Sequence, residues 1–345
     1  MLSSLGRSTS ESRVRKSGSL TGRMDKLGSL AEPLEDAKPG AAPAPGWAEL
    51  ARQHLGQYAF LAGTCVLLAF SEGWEPFHRN FYVGSTSDME YWRYSFPLKR
   101  NHVPAWAVPC VAVFSTLLVI LAFLAAGRIS RAEAHHACLL AVSCVAATGL
   151  LTNWIKVNIG RPRPHFVHRC WPNGLRPVFS KDGTPICADG AVDVFEGIKS
   201  FPSGHTSWAT SGLGFLTFWL LGKLRVFADG AAAPERFALA MAPLLGAAWI
   251  GMSRIQDYWH HVEDVCAGFM LGLLMAFCYY RQIYAGMLGP HAGMLTAAVR
   301  GSSGGSTGSV SRGALSSGPS KYGLYGGAAG EEPPAPLPLY ADDRV

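Results

Sequence analysis

The chain has 345 residues, of which 49% are hydrophobic and only 16% charged, whereas a soluble domain of this length carries roughly a quarter charged residues. Its net charge of +6 would argue for a nucleic-acid partner only if the basic side chains clustered on a soluble face, and they are spread over both ends and the loops. The composition excludes an ordinary soluble domain, gives no support for nucleic-acid binding, and points to a bilayer.

Residues 1–46 come first. They are rich in Ser, Gly, Arg and Pro, lack apolar periodicity, and read as a disordered tail. No signal-peptide core precedes Leu55, so the first membrane helix is expected to be an uncleaved anchor. Six basic and two acidic residues among the first thirty, with many serines, fit a cytosolic tail better than an organelle transit peptide. Uncharged runs then follow at Leu55–Ser71, Val103–Ala126, Ala137–Ile155, Thr206–Leu221, Phe237–Ser253 and Val265–Tyr280. A bilayer core about 30 Å thick needs about 20 helical residues. The second and third runs meet that alone, and the others reach it with flanking interfacial residues. All six are apolar on every face rather than amphipathic. The expected fold is therefore an all-α integral membrane protein with six transmembrane helices in a domain over 47–284, followed by a flexible Gly/Ser/Pro-rich tail over 285–345.

Six spans put both tails on one side of the membrane. That side holds eighteen Lys and Arg, against twelve on the other, so the positive-inside rule puts the tails in the cytosol. The loops near 72–102, 156–202 and 254–264 then share the luminal or extracellular side. Six of the eight cysteines lie in apolar runs, where packing is the default reading. Cys170 and Cys187 share one polar loop and are free to pair if it faces an oxidising lumen.

Three polar stretches fall on that shared side: "KVNIGRPRPHF" from Lys156, "KSFPSGHTSW" from Lys199, and "SRIQDYWHHVEDV" from Ser253. Each alone is weak, because basic residues at helix ends snorkel and Ser-Gly before a helix is an ordinary cap. Together they supply what a phosphate ester needs. Lys156, Arg163 and Arg254 are three cations from separate segments, suited to charge spread over equatorial oxygens. Ser203 and Gly204 open a helix whose free N–H groups and positive dipole end suit an anion. His205 lies in that helix's first turn. A neutral imidazole can attack phosphorus, and a protonated one can give the leaving alcohol its proton. Asp264 lies four residues after His260 and three after His261, close enough to orient either ring. Spacing alone barely separates those two histidines. His165 and His168 read as solvated loop groups. Asp182, Asp189, Asp193 and Glu196 have no spacing that defines a cation site, and Trp154, Trp171, Trp208 and Trp259 read as interfacial anchors.

The joint pattern is Lys156, six residues, Arg163-Pro164; Pro202-Ser203-Gly204-His205; and Ser253-Arg254, five residues, His260, three residues, Asp264. It resembles the three-part signature of the type 2 phosphatidic acid phosphatase family, the lipid phosphate phosphatases, which share a phosphatase site with the vanadium haloperoxidases. The likeness covers about residues 58–284. It implies a helical bundle of the haloperoxidase type that hydrolyses a membrane lipid phosphate without a metal or other cofactor. By motif position, His260 is expected to be the nucleophile that forms a phosphohistidine, with Asp264 orienting it and His205 protonating the leaving oxygen. Lys156, Arg163, Ser203, Gly204 and Arg254 are expected to hold the phosphate. Phosphatidate, cleaved to diacylglycerol, is the first substrate to expect. Lysophosphatidate, a sphingoid phosphate or diacylglycerol pyrophosphate stand as alternatives, ahead of a phosphotransferase or transporter on the same scaffold. The endoplasmic reticulum or plasma membrane is the expected location, a plastid membrane the second choice, and a homo-oligomer is compatible with the sequence.

Overall fold

A computed structural model describes residues 45–80, 89–228 and 233–304. The two tails beyond these limits, whose disorder the sequence predicts, lie outside the described residues. The described chain is helical: α1 (Trp47–Gln53), α2 (Leu55–Glu72), α3 (Met89–Tyr94), α4 (Ala107–Ala125), α5 (Arg131–Ile159), α6 (Phe166–Cys170), α7 (Val194–Gly197), α8 (Gly204–Lys223), α9 (Pro234–Gln256), α10 (Val262–Ile283) and α11 (Thr296–Gly304). A single 3-10 turn (Pro172–Gly174) and three isolated bridges complete it, and no β-strand occurs among the described residues.

Five helices, α2, α4, α5, α9 and α10, are long and apolar enough to cross a bilayer. The shortest, α2, has 18 residues and so spans roughly 27 Å. The sixth long helix, α8, has 20 residues but is less apolar than the others. Its place explains why: α8 packs against α4, α5, α9 and α10, so protein rather than lipid surrounds it. Ser207, Thr210, Ser211 and Thr217 on α8 are all buried. Small residues let its neighbours come close, as in many helix contacts within membranes. A Cβ on Gly212 would meet the Ala112 carbonyl oxygen at 2.6 Å, and Cβ atoms on Gly268 and Gly272 of α10 would meet the Ser203 and Ser207 carbonyl oxygens at 2.6 and 2.5 Å. Away from the polar end, Ile120, Leu140, Phe215, Trp219 and Tyr280 form the main apolar core. Residues 285–295, which the sequence assigns to the tail, pack back on α8: Lys223 Nζ donates to the Gly293 carbonyl at 2.8 Å, and Ala292 is buried.

Three chain reversals bring the polar stretches to one end of the bundle. Helix α5 begins with Ser130 accepting from the Glu133 N–H at 3.1 Å and ends at Gly160 in the left-handed region (φ 59°). A Cβ at Gly160 would fall 1.8 Å from the Phe77 carbonyl oxygen, so glycine is required for space as well as dihedral. Ser203 caps α8, its Oγ accepting from the Thr206 N–H at 3.4 Å. Between α9 and α10 the chain turns through Tyr258 (φ 59°), whose ring stacks on Phe96 at 4.7 Å and lies under Lys99 Nζ at 4.5 Å.

Candidate active site

At that end lies a cavity of about 330 Å³, lined by Lys156, Arg163, Gly204, His205, Arg254 and His260 among others. Six of the eight residues singled out in the sequence therefore share one wall. Ser203 and Asp264 do not line it. Both are fully buried behind it, Ser203 as the cap of α8 and Asp264 as a support for His260.

The nucleophile candidate is set by its partners. His260 is 3% exposed. Arg163 Nη1 lies 3.1 Å from His260 Nε2, and a guanidinium can only donate, so Nε2 is the unprotonated nitrogen. The ring proton therefore sits on Nδ1, which lies 3.6 Å from Asp264 Oδ2 and 3.5 Å from Ser200 Oγ. Burial, then Arg163, push the His260 ring well below the ordinary histidine range, which keeps it neutral. His261, its neighbour, does not line this cavity. Its backbone N–H donates to Asp264 Oδ2 at 3.0 Å, and its ring meets the Pro162 carbonyl at 3.3 Å. The two adjacent histidines thus part company: one ring enters the cavity, the other caps α10.

The cations are individually anchored. Arg163 donates through Nε to the Glu196 carbonyl at 2.7 Å and through Nη1 to the Trp259 carbonyl at 3.0 Å, and its Nη2 pairs with the Glu196 carboxylate. Its guanidinium lies over the Trp259 ring at 5.0 Å. Arg254 is fully buried, pairs with Asp257, and donates to Asn101 Oδ1 at 2.9 Å. Its Nε is buried without a hydrogen-bond partner among the described residues. Lys156 Nζ donates to the Lys199 carbonyl at 2.7 Å. His205 gives its Nε2 proton to the Val103 carbonyl at 3.2 Å, and Gly204 leaves a Cβ-sized approach 3.5 Å from Lys156 Cε.

Several supports are invisible in the motifs. Asp257 is the fully buried partner of Arg254 and also accepts from the His102 N–H at 2.9 Å. Arg161 and Ser200 hold Asp264, and Glu196 holds Arg163. The first arginine of "GRPRP", Arg161, was the one available hint, since its spacing from Arg163 places it beside the same site. Other readings change. His165 is not solvated: it is fully buried, accepts from Arg169 Nε at 3.2 Å and meets Trp259 edge-on at 5.1 Å. Burial, with Arg169 and Arg163 behind it, lowers its pKa to about 3. Trp171 is buried in a small core with Phe166, and Trp208 and Trp259 line the cavity, so only Trp154, 55% exposed, keeps the look of an anchor. The four acids of the long loop do not converge: Asp182 binds Ser180 and Thr184, Asp193 lies 3.8 Å from Arg169, and Glu196 faces Arg163. Cys170 and Cys187 form a disulfide.

Three cations, a helix amino terminus and two histidines gather at one end of a bundle whose long apolar helices mark an integral membrane protein. Comparison with known proteins gives the same class. Residues 137–287 match the PAP2 superfamily model. Lipid phosphate phosphatase 2 of Arabidopsis thaliana is 41% identical over 232 residues, which cover 67% of this chain and 77% of that protein. Lipid phosphate phosphatase 1 of the same plant is 42% identical over 211 residues, 61% of this chain and 62% of that protein. Diacylglycerol pyrophosphate phosphatase 1 of Saccharomyces cerevisiae is 34% identical over 219 residues, 61% of this chain and 72% of that protein. No solved structure matches. The chain belongs to the type 2 phosphatidic acid phosphatase family, the lipid phosphate phosphatases.

Proposed function

We propose that this enzyme hydrolyses phosphatidate to diacylglycerol and phosphate through a phosphohistidine on His260, with no metal in the reaction. The observation that carries the reading is the Arg163 N–H on His260 Nε2 at 3.1 Å. It fixes the tautomer that keeps a lone pair on the nitrogen facing the cations. When a phosphate monoester occupies the cavity, Nε2 exchanges that N–H for phosphorus, and Arg163 turns its donor to a phosphoryl oxygen. The P–N bond forms as the ester P–O bond breaks. Lys156, Arg254 and the opening N–H groups of α8 offset charge on the equatorial oxygens. The phosphate dianion favours the doubly protonated His205, whose Nε2 rests against the Val103 carbonyl, and the leaving oxygen takes one of its two ring protons, which leaves the imidazole neutral. In the second half, His205 accepts a proton from water, the resulting hydroxide attacks phosphorus, and the P–N bond breaks to free phosphate and neutral His260.

The cavity's other wall supports a lipid substrate. Ala105, Val108, Val157 and Trp208 line it beside the cations, so an apolar body can lie against the membrane helices while its phosphate reaches His260. The printed names of the Arabidopsis relatives agree with a lipid phosphate, and that of the yeast relative supports diacylglycerol pyrophosphate as the second reading. The Cys170–Cys187 disulfide supports a luminal or extracellular site, because disulfides persist in oxidising compartments.

The test is phosphate release from phosphatidate by purified protein in excess chelator, with rapid quenching to trap the phosphoenzyme. Release in chelator and an adduct stable to base but labile to acid are expected. Strict dependence on added magnesium would overturn the metal-free mechanism. An acyl-phosphate profile would move the nucleophile to Asp264.

A further inference from the structure

Asp264 is gripped by groups that lie outside the family motif. Arg161 Nη1 donates to its Oδ1 at 2.6 Å, Ser200 Oγ donates to its Oδ2 at 2.6 Å, and the His261 N–H reaches Oδ2 at 3.0 Å. The approach of His260 Nδ1 to the same Oδ2 is 3.6 Å, outside hydrogen-bond length. The strongest bonds of the carboxylate thus go to its clamp and not to the imidazole it faces. Arg161 is itself shared, with Nη2 3.5 Å from Glu263, and Glu263 also takes Arg93 at 3.1 Å. Side-chain exposure falls along this chain of charges, from 42% at Arg93 and 59% at Glu263 to 14% at Arg161 and 0% at Asp264. The outer pair is screened by solvent, while the inner pair acts at nearly full strength.

We propose that Arg161 and Ser200 are positioning residues for the nucleophile. They fix the Asp264 carboxylate and share its charge, so that it orients the Nδ1–H of His260 without drawing a second proton onto the ring. This rests on His260 being the nucleophile.

The physical need is specific. An undivided carboxylate beside an imidazole favours the imidazolium, which has no lone pair for phosphorus. Arg163 and Lys156 oppose a second proton on His260 and Asp264 favours one; His205, Arg254, Lys199, Glu72 and Glu196 are the other ionisable groups that line the same cavity. Among the carboxylates, Asp264 is the one facing Nδ1, so its charge has the most leverage, and Arg161 offsets that charge at 2.6 Å. Ser200 takes up Oδ2, the oxygen nearest His260, and leaves it less free to follow the ring. Without the clamp, Asp264 would both hold the proton more strongly and hold the ring less well.

The experiment measures kcat and KM for phosphatidate in Arg161→Gln, Arg161→Lys and Ser200→Ala enzymes across the acid range, with His260→Ala in parallel. In Arg161→Gln, kcat is expected to fall by about a hundredfold from lost alignment. The acidic limb of its kcat/KM profile is expected to move up by roughly one pH unit, because a neutral His260 is lost at a higher pH. Ser200→Ala should shift the limb in the same direction by less, and Arg161→Lys should recover most of both effects. A loss equal at every pH, or one carried by KM with the limb unmoved, overturns the inference. If Arg161→Gln does not fold, Ser200→Ala, which exchanges a buried hydroxyl for hydrogen, decides by the same criterion. Unchanged turnover in His260→Ala would sink the nucleophile and this inference with it, whereas a dead His260→Ala with an unmoved limb sinks the inference alone.

Discussion

Replacing Asp257 by alanine strands a cation in the protein interior. Asp257 and Arg254 are both 0% exposed and pair directly, and the same carboxylate takes the His102 N–H at 2.9 Å. After the change Arg254 keeps only its bond to Asn101 Oδ1 at 2.9 Å, since its Nε already lacks a partner. Removing one member of a buried pair costs about 3–5 kcal/mol. The lost bond to a backbone N–H adds about 1 kcal/mol. Because Arg254 lines the cavity, its freed guanidinium can relax towards that space once Asp257 is gone, and that draws the total back to about 3 kcal/mol. For a domain of this size the expected fall in Tm is roughly 6–12 °C. The assay is thermal unfolding in detergent beside Glu75→Ala, whose side chain is 75% exposed and which should change stability by less than about 0.5 kcal/mol. Inorganic phosphate should recover part of the Asp257→Ala loss by binding the folded state. An Asp257→Ala Tm indistinguishable from that of Glu75→Ala would refute the claim that this carboxylate neutralises a buried charge.

His260→Ala is expected to abolish turnover, while His261→Ala keeps a measurable fraction, because only the His260 ring enters the cavity; equal losses in a phosphate-release assay would undo that division. Cys170→Ser should lower stability by about 3 kcal/mol, the loop-closure value for a bridge of this length, and reduction of the wild-type protein should give the same Tm shift; a Tm unchanged by either would show that the bridge does not form. His165 has an ordinary value of 6.5 lowered to about 3 in the fold, so the unfolded chain takes up its proton first and stability falls as pH drops from about 6.5 towards 3. Tm should decline through that window, and His165→Gln should flatten the decline; parallel Tm–pH curves would refute the assignment.

The motif residues that line the cavity were legible because each motif type carries its own chemistry. Cations, a capped glycine turn and two histidines have few joint uses beyond a phosphate, and the fold brings six of the eight to one cavity. Their supports were not legible. Asp257 reads as one acid among three in "DYWHHVEDV", and nothing local marks it as the partner of Arg254 rather than a solvated charge. Ser200 and Asp264 are 64 residues apart, and Arg161 and Asp264 are 103 apart. Such pairings arise only when α5, α8 and α10 end at one level. The tie between His260 and His261 had a similar cause. Both sit at helical distance from Asp264, and the left-handed turn at Tyr258, a side chain with no sequence signal for that conformation, decides which ring points inward. The weaker apolarity of α8, which the sequence counts among six spans, has its cause in its place within the bundle. A helix enclosed by protein can carry buried serine and threonine that a lipid-facing helix would not.

The supports also explain how so much charge can sit at the end of a membrane bundle. Of the four cations that line the cavity, Arg163 pairs with Glu196 and Arg254 with Asp257, while Asp264 is offset by Arg161. Among the described residues Lys156 has no carboxylate within ion-pair reach, only the Lys199 carbonyl at 2.7 Å. These pairings leave the wall only a modest positive balance, carried by Lys156 and Lys199, which limits the cost of holding it against hydrocarbon. In the proposed reaction a phosphate dianion meets Lys156 and Lys199 as cations held by carbonyls alone. It must compete with Glu196 for Arg163, and Glu196 is the one of these carboxylates that reaches solvent, 47% exposed. Asp257 and Asp264, both fully buried, cannot yield in that way. In the proposed reaction the phosphate takes Arg163 from its exposed partner Glu196 and leaves the buried pairs intact, and Arg163 is the same group that lets go of His260 Nε2.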